Sequence, residues 1–295
     1  MGGVEAPVID AALVRRLVAA QFPQWAALDV RPVAHGGWDN RTFHLGDDLS
    51  VRLPSAEIYA AAVAKEQTWL PRLAPHLPLP VSEPIALGAA DEAYPWPWSV
   101  CRWLPGETAE SAPPADLETF AVDLADFLLA LQRVDVGEAP RPDQTNFHRG
   151  GPLDVYDRQT REALERLAGT IDVAAARELW EAALASSFAG PPVWIHGDVA
   201  PSNLLVREGR LSGVIDFGQF AAGDPACDLG VAWTFFHGPA RTAFRRRLSP
   251  DVGLWTRARG WTLWKALIVV AGLPGVNQGQ RGLWESALAA VLADA

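Results

Sequence analysis

The sequence predicts an α+β fold in two lobes, one built on an antiparallel sheet in residues 1–103 and a larger, mainly helical one in residues 104–295. Three observations predict it. Short apolar runs bounded by turn residues crowd the first lobe, the pattern of strands and hairpins. Helical periodicity takes over after Leu104-Pro105-Gly106, which breaks both periods. The chain has 295 residues, 49% of them apolar and 20% charged, enough to bury a large core.

The elements follow in order. Residues 8–20 alternate at helical spacing, with Asp10 as N-cap. Strands are predicted at 28–34, 41–45 and 49–53, with Gly46-Asp47-Asp48 turning the last hairpin and Pro54 stopping it. Ser55 caps a helix to about Leu70, where Pro71 opposes continuation. Strands at 84–87 and 98–103 complete the first lobe. The second lobe reads as helices at 115–134, 154–168 and 173–188, short strands at 193–195, 204–206 and 211–215, then mostly helix from Pro225. Loops interrupt that last part at 238–239 and 272–279, and no internal repeat is present.

Charge and composition exclude several functions. A formal net charge of -10 argues against nucleic acid as a partner, because phosphate backbones demand a basic surface. The N-terminal stretch has an early acid and no apolar core of a signal peptide. No run reaches the ~18 apolar residues of a membrane span. The longest, 263–273, is interrupted by Lys265, so no membrane partner is expected. The two cysteines, Cys101 and Cys227, are far apart and form neither a disulfide framework nor a zinc pattern, as expected of a cytoplasmic protein. Only two lysines occur, Lys65 and Lys265, so nearly all positive charge is arginine.

The chemistry concentrates in His196-Gly197-Asp198-Val199-Ala200-Pro201-Ser202-Asn203, followed after one hairpin by Ile215-Asp216-Phe217-Gly218. Short local connections bring Asp198, Asn203 and Asp216 to the ends of neighbouring strands. Their hard oxygens suit Mg²⁺, which binds phosphate oxygens and keeps several waters. Asp216 and Asn203 are the metal candidates. Asp198 has no basic partner in sequence, so it is the candidate base for a substrate hydroxyl. Taken singly, each acid would be a turn cap. The whole string, with its spacing, points to phosphoryl transfer.

This segment, through Gly223-Asp224-Pro225-Ala226-Cys227-Asp228-Leu229, resembles the aminoglycoside phosphotransferase family of the protein-kinase-like fold, and the lobe order is similar along the whole chain. The resemblance implies Asp198 as catalytic base, Asn203 and Asp216 as Mg²⁺ ligands, His196 as support for the loop, and Asp228 as its hydrogen-bonding brace. Asp224 reads independently as a helix cap before Pro225. In the first lobe, Gly36 and Gly37 resemble the family's nucleotide-positioning loop, where glycine lets backbone N–H groups approach phosphate. The resemblance also implies that Glu66 pairs with a cation on the third strand, and that the Arg102 carbonyl and Leu104 amide read adenine, with Cys101 at the gatekeeper place. The sequence departs from the pattern at that cation, where Arg52 stands for the expected lysine. Arginine still binds phosphate and carboxylate, through a planar fork.

The expected function is transfer of the γ-phosphate of ATP or GTP, with Mg²⁺, to a hydroxyl of a small-molecule acceptor, an aminoglycoside or other antibiotic among the candidates. The alternative is a nucleotide-binding pseudokinase made possible by the Arg52 change. A protein kinase is disfavoured, since no arginine occurs in the His-Gly-Asp string and no Ala-Pro-Glu segment follows Asp216. Among the tryptophans, Trp233, Trp255, Trp261, Trp264 and Trp284 fall where this family builds its acceptor pocket.

Overall fold

A computed structural model of the chain describes residues 8–33, 37 and 39–294. Gly36 lies outside the described residues. The chain divides into two compact units, Met1–Gly106 with Gly213–Gln219, and Glu107–Ser212 with Phe220–Ala295.

In the first unit, α1 (Ala11–Gln21) begins at Asp10, whose side chain accepts from the Leu13 amide at 2.8 Å. It buries Leu13, Val14, Leu17 and Val18, one helical stripe. The sheet consists of β1 (Val30–Pro32), β2 (Asn40–Leu45), β3 (Leu49–Pro54), β4 (Pro84–Gly88) and β5 (Trp98–Arg102), in the order β1-β2-β3-β5-β4 and antiparallel throughout. The α1 stripe packs with Phe43, Leu45, Val51, Leu53, Trp98 and Val100 in one core. Each fully buried Leu or Val contributes roughly 1.5–3 kcal/mol, so this seam outweighs differences in local propensity.

Period-2 alternation places Arg52 on the face of β3 opposite to Val51 and Leu53. That second face meets α2 (Glu57–Leu73), whose buried residues are Val63, Glu66, Leu70 and Leu73. Two expectations for this helix are corrected. Its N-cap is Ala56, without a side-chain bond, and not Ser55. Pro71 lies inside the helix, which continues to Leu73 because Leu70 and Leu73 are buried together at 0% and 1% exposure. Proline there sacrifices one backbone bond close to the helix end, where little is lost.

The second unit opens with β6 (Glu107–Thr108) and α3 (Leu117–Arg133), the latter capped by Asp116. Sequence periodicity gives no sign of β6, which is two residues long. The expected helix at 154–168 is a 3-10 turn, Leu153–Tyr156, followed by α4 (Asp157–Arg166). Then come α5 (Val173–Ala185), β7 (Val193–Ile195), β8 (Leu204–Arg207), β9 (Arg210–Val214) and β10 (Ala221–Gly223). Strands β6, β8 and β9 form one small sheet, and β7 pairs antiparallel with β10. The last helices are α6 (Val231–Thr234), α7 (Gly238–Leu248), α8 (Val252–Val270) and α9 (Arg281–Ala293). Gly238 and Pro239 thus start α7 and are not a loop, and proline is well suited to a first turn.

Helix α8 is the axis of this unit. It is buried almost all round and contacts α4, α5 and α9. Gly260 permits the closest approach, since a Cβ there would stand 2.5 Å from the Ala183 Cβ of α5.

Candidate active site

In the first unit, three of the sequence candidates meet. Arg52 Nη2 donates to Asp216 Oδ1 at 2.9 Å, and Arg52 Nη1 lies 3.5 Å from Glu66 Oε2. Arg52 and Glu66 are buried, at 8% and 5% exposure, so these charges face each other with little water. Burial works against the guanidinium charge, but Glu66 and then Asp216 outweigh it and hold Arg52 above its ordinary pKa. Burial pushes the neighbouring Cys101 thiol up to about 12, with Arg52 opposing. The Arg52 Nη1 atom is buried, faces Glu66 Oε2 and makes no hydrogen bond.

Asp216 has φ +64°, a left-handed conformation that aspartate tolerates better than most residues. Just before it, the Val214 amide bonds the Pro80 carbonyl at 3.1 Å, and just after it Phe217 is fully buried. The carboxylate is thereby held between two anchors. A Cβ on Gly218 would stand 3.6 Å from Asp216 Oδ1 and 3.9 Å from Glu66 Oε1, so both carboxylates border this glycine. Gly37 is exposed, and its carbonyl accepts from Arg41 Nη1 at 3.0 Å. On β5, the Trp103 amide bonds the Asp48 carbonyl at 2.8 Å, while the Arg102 amide points to the opposite edge and bonds Glu83 at 3.0 Å. Strand alternation puts the Arg102 carbonyl on that second edge, directed away from β3.

In the second unit, the β7–β10 pairing brings the chain before His196 beside the chain before Asp224. Asp228 then accepts from the His196 amide at 2.8 Å and the Gly197 amide at 2.7 Å. Asp228 is 1% exposed, and burial raises its pKa although His196 and both backbone N–H groups favour its charge. Gly197 has φ +84°, which a side chain would strain. His196 is fully buried, and its Nδ1 accepts from the Asp198 amide at 3.2 Å. Asn203 Nδ2 donates to the Asp198 carbonyl at 2.9 Å and to Asp198 Oδ2 at 3.2 Å. The loop is therefore tied from both ends around Asp198.

Several participants escape sequence reasoning. Arg257 of α8 grips the cap Asp224, with Nε at 2.6 Å from Oδ2 and Nη2 at 3.3 Å from Oδ1. This pair is buried and fixes the turn that carries Asp228. Lys265 of α8 and Arg149 lie against one aromatic floor: Lys265 Nζ is 5.9 Å and Arg149 Cζ 5.4 Å from the Trp264 ring. Burial first and then Arg149 lower the Lys265 pKa, against Asp198, to about 8. The only signal in the sequence was a lone cation interrupting the apolar run 263–273. Trp233 and Trp255, by contrast, both donate to Asp294 Oδ2, at 3.2 and 3.1 Å.

Among the described residues, no three His, Cys, Asp or Glu side chains gather as a metal site, and no helix is long and apolar enough to cross a membrane.

The comparisons with known proteins agree. An aminoglycoside 3'-phosphotransferase of Escherichia coli is 30% identical over 201 residues, 64% of this chain and 68% of that protein. Among solved structures, the chain is similar to the GDP complex of wild-type aminoglycoside 2'-phosphotransferase-IIIa, with 20% identity and a TM-score of 0.68 over 97% of this chain and 99% of that one. It is also similar to the macrolide 2'-phosphotransferase MphH from Brachybacterium faecium, with 24% identity and a TM-score of 0.59 over 96% and 97% of the two chains. These likenesses show the protein-kinase-like fold. The phosphotransferase enzyme family matches residues 29–261, most of the length. The chain therefore belongs to the aminoglycoside phosphotransferase family and is a small-molecule kinase.

Proposed function

We propose that the chain transfers the γ-phosphate of ATP or GTP, with Mg²⁺, to a hydroxyl of a small-molecule acceptor. The observation that carries this reading is the fixed carboxylate of Asp198. Asn203 holds its Oδ2 and Asp228 holds the backbone before it, which leaves Oδ1 for an acceptor hydroxyl. In the reaction, the acceptor oxygen forms a bond to the γ-phosphorus as the bond to the β-phosphate oxygen breaks. The hydroxyl proton passes to Asp198, and the nucleoside diphosphate leaves. Positioning does most of the work, since phosphoryl transfer requires little covalent chemistry from the protein.

Arg52 binds phosphate through its fork, in the place where the family carries lysine, and Glu66 orients it. Gly37 would stand in the segment that covers the phosphates. The Arg102 carbonyl and the Leu104 amide read the adenine or guanine edge. This part rests on the buried Arg52 guanidinium set between Glu66 and Asp216 and on the family resemblance at Arg102 and Leu104.

Taken separately, the oxygens of Asn203 and Asp216 suit Mg²⁺. Asn203 spends its Nδ2 on Asp198, so its carbonyl oxygen remains, and Asp216 spends Oδ1 on Arg52 and keeps Oδ2. The Arg52–Glu66–Asp216 group also carries one surplus negative charge. One or two protein oxygens suffice for an ion that takes the rest of its shell from phosphate and water. When bound, Mg²⁺ neutralises charge on the phosphate oxygens.

The test is acceptor-dependent release of ADP or GDP from the purified chain, across amino sugars, macrolides, neutral sugars and hydroxy acids. Asp198→Asn is expected to lower kcat by about 10²–10⁴-fold while leaving nucleotide affinity intact. Retained turnover would remove Asp198 from the base role. Collapse of nucleotide affinity would reassign it as a metal ligand. Nucleotide binding without release on any acceptor would replace transfer by a binding role.

A further inference from the structure

We propose that the second unit carries an anion site outside the catalytic segment: a hollow between α7, α8 and the end of α9 that takes a phosphate group, free or as a phosphomonoester, on Arg245 and Arg246.

The argument starts from spacing. Arg241, Thr242, Arg245 and Arg246 stand at i, i+1, i+4 and i+5 of α7, which puts them on one face of that helix. With Trp255 of α8 and Asp294, they line a cavity of about 350 Å³. None of these six residues belongs to the segments that carry Asp198, Asn203 and Asp216. Trp255 and Lys265 stand at opposite ends of one stretch of α8, roughly 15 Å apart along its axis.

The hollow holds three arginines and one acid in a chain whose net charge is -10. Its arginines differ in what they already bind. Arg241 Nε donates to the Ala232 carbonyl at 2.7 Å, and Nη2 to the Phe236 carbonyl at 3.3 Å. Arg245 and Arg246 are exposed, and neither guanidinium forms an ion pair or a hydrogen bond with a described residue. Arg247, the next residue, is outside the hollow and pairs with Asp126. The acid in the wall does not neutralise its neighbours. Asp294 commits Oδ2 to the Trp233 and Trp255 indoles, at 3.2 and 3.1 Å, and pairs with no arginine of the hollow.

The same indoles set Arg245 in place. Its Cζ lies 4.6 Å over the Trp255 ring, and Trp255 in turn contacts Trp233 at 4.5 Å. Contact with an indole takes none of the guanidinium's hydrogen-bond donors, so the planar fork stays open to an anion. The three arginines in the last turn of α7 also complement its dipole, but that interaction uses no side-chain donor either. Two neighbouring unpaired guanidiniums repel, and one doubly charged phosphate group relieves both with charge-assisted hydrogen bonds. A polyanion fits less well. Asp294 stands in the wall, and the charge beyond the hollow is strongly negative, so a nucleic-acid backbone would be repelled on either side.

The experiment measures binding and no turnover, so its failure and that of the function proposed above are separate. Inorganic phosphate, glycerol phosphate and glycerol are titrated calorimetrically into the whole chain without nucleotide. Both phosphates are expected to bind, more weakly as KCl is raised, and glycerol is not. Arg245→Gln and Arg246→Gln together should weaken both phosphates about tenfold or more. Equal affinity for the two phosphates would assign the site to the phosphate group alone, and tighter glycerol phosphate would extend it to the ester's carbon skeleton; either upholds the proposal. Equal phosphate affinity in the wild type and the double variant overturns it, because any binding then belongs elsewhere, the catalytic segment included. A second measurement needs no variant. Phenylglyoxal labelling, read by mass spectrometry, should show phosphate protecting Arg245 and Arg246 relative to Arg247. Labelling of all three that is the same with and without phosphate overturns the site.

Discussion

The two units solve the same problem, holding a carboxylate in a chosen place, by different means. The first uses a cation. Asp216 and Glu66 are both set by Arg52, and all three are side chains. The second uses the backbone. Asp228 is set by the His196 and Gly197 amides, and Asp198 by the Asn203 carboxamide and the fold of its own loop. A side-chain cluster has a movable charge at its centre, so a phosphate can share it. A backbone network has no such freedom and gives a more rigid base. The difference matches the tasks proposed for them, gripping a nucleotide that comes and goes and aligning one proton transfer.

The sharpest way to break this contrast is Arg52→Ala. It leaves the buried Glu66 carboxylate and the partly exposed Asp216 without their cation and should cost about 3–5 kcal/mol of stability, read as a shift in urea unfolding. A loss below about 1 kcal/mol would mean the cluster behaves as a surface pair. Asp228→Asn comes next. The amide can accept from one backbone N–H but turns a donor toward the other, so unfolding should show a loss of about 2–3 kcal/mol. Wild-type stability in that variant would remove Asp228 as the brace of the loop.

The smallest effect concerns Lys265. Burial and Arg149 hold it at about 8, below the ordinary 10.5 of a lysine. Between those values the unfolded chain binds more protons, so stability rises with pH across that window. Relative to Lys265→Met, the wild type should gain roughly 1–2 kcal/mol between about pH 7 and about pH 9.5. A flat difference would mean that Lys265 is as well solvated in the fold as outside it.

Much of this was legible in the residues. Asp10 capping, the alternation of β3 and the short strands around His196 are local, and local signals survive folding. The segment from His196 to Gly218 was legible as a local group because its spacing is set by two short turns. Glu66 was named only through the family resemblance; its place on the buried stripe Val63, Glu66, Leu70, Leu73 came from the fold. What the sequence hid depends on distant partners. Ser55 looked like a better cap than Ala56, and Pro71 like a stop, because burial of Leu73 is not visible from its neighbours. Arg257 and Asp224 are 33 residues apart, and nothing in either neighbourhood announces the other. Arg149 and Lys265 meet only because Trp264 lies under both.

Helix α8 has a consequence for how such a chain can diversify. Arg257 secures the turn bearing Asp228, and Gly260 sets the distance to α5. A few residues further along the same rod stand Trp261, Trp264 and Lys265. Heritable change along this helix is therefore unevenly constrained. Drift at Arg257 or Gly260 is paid in folding, because one secures a buried ion pair and the other a close helix contact.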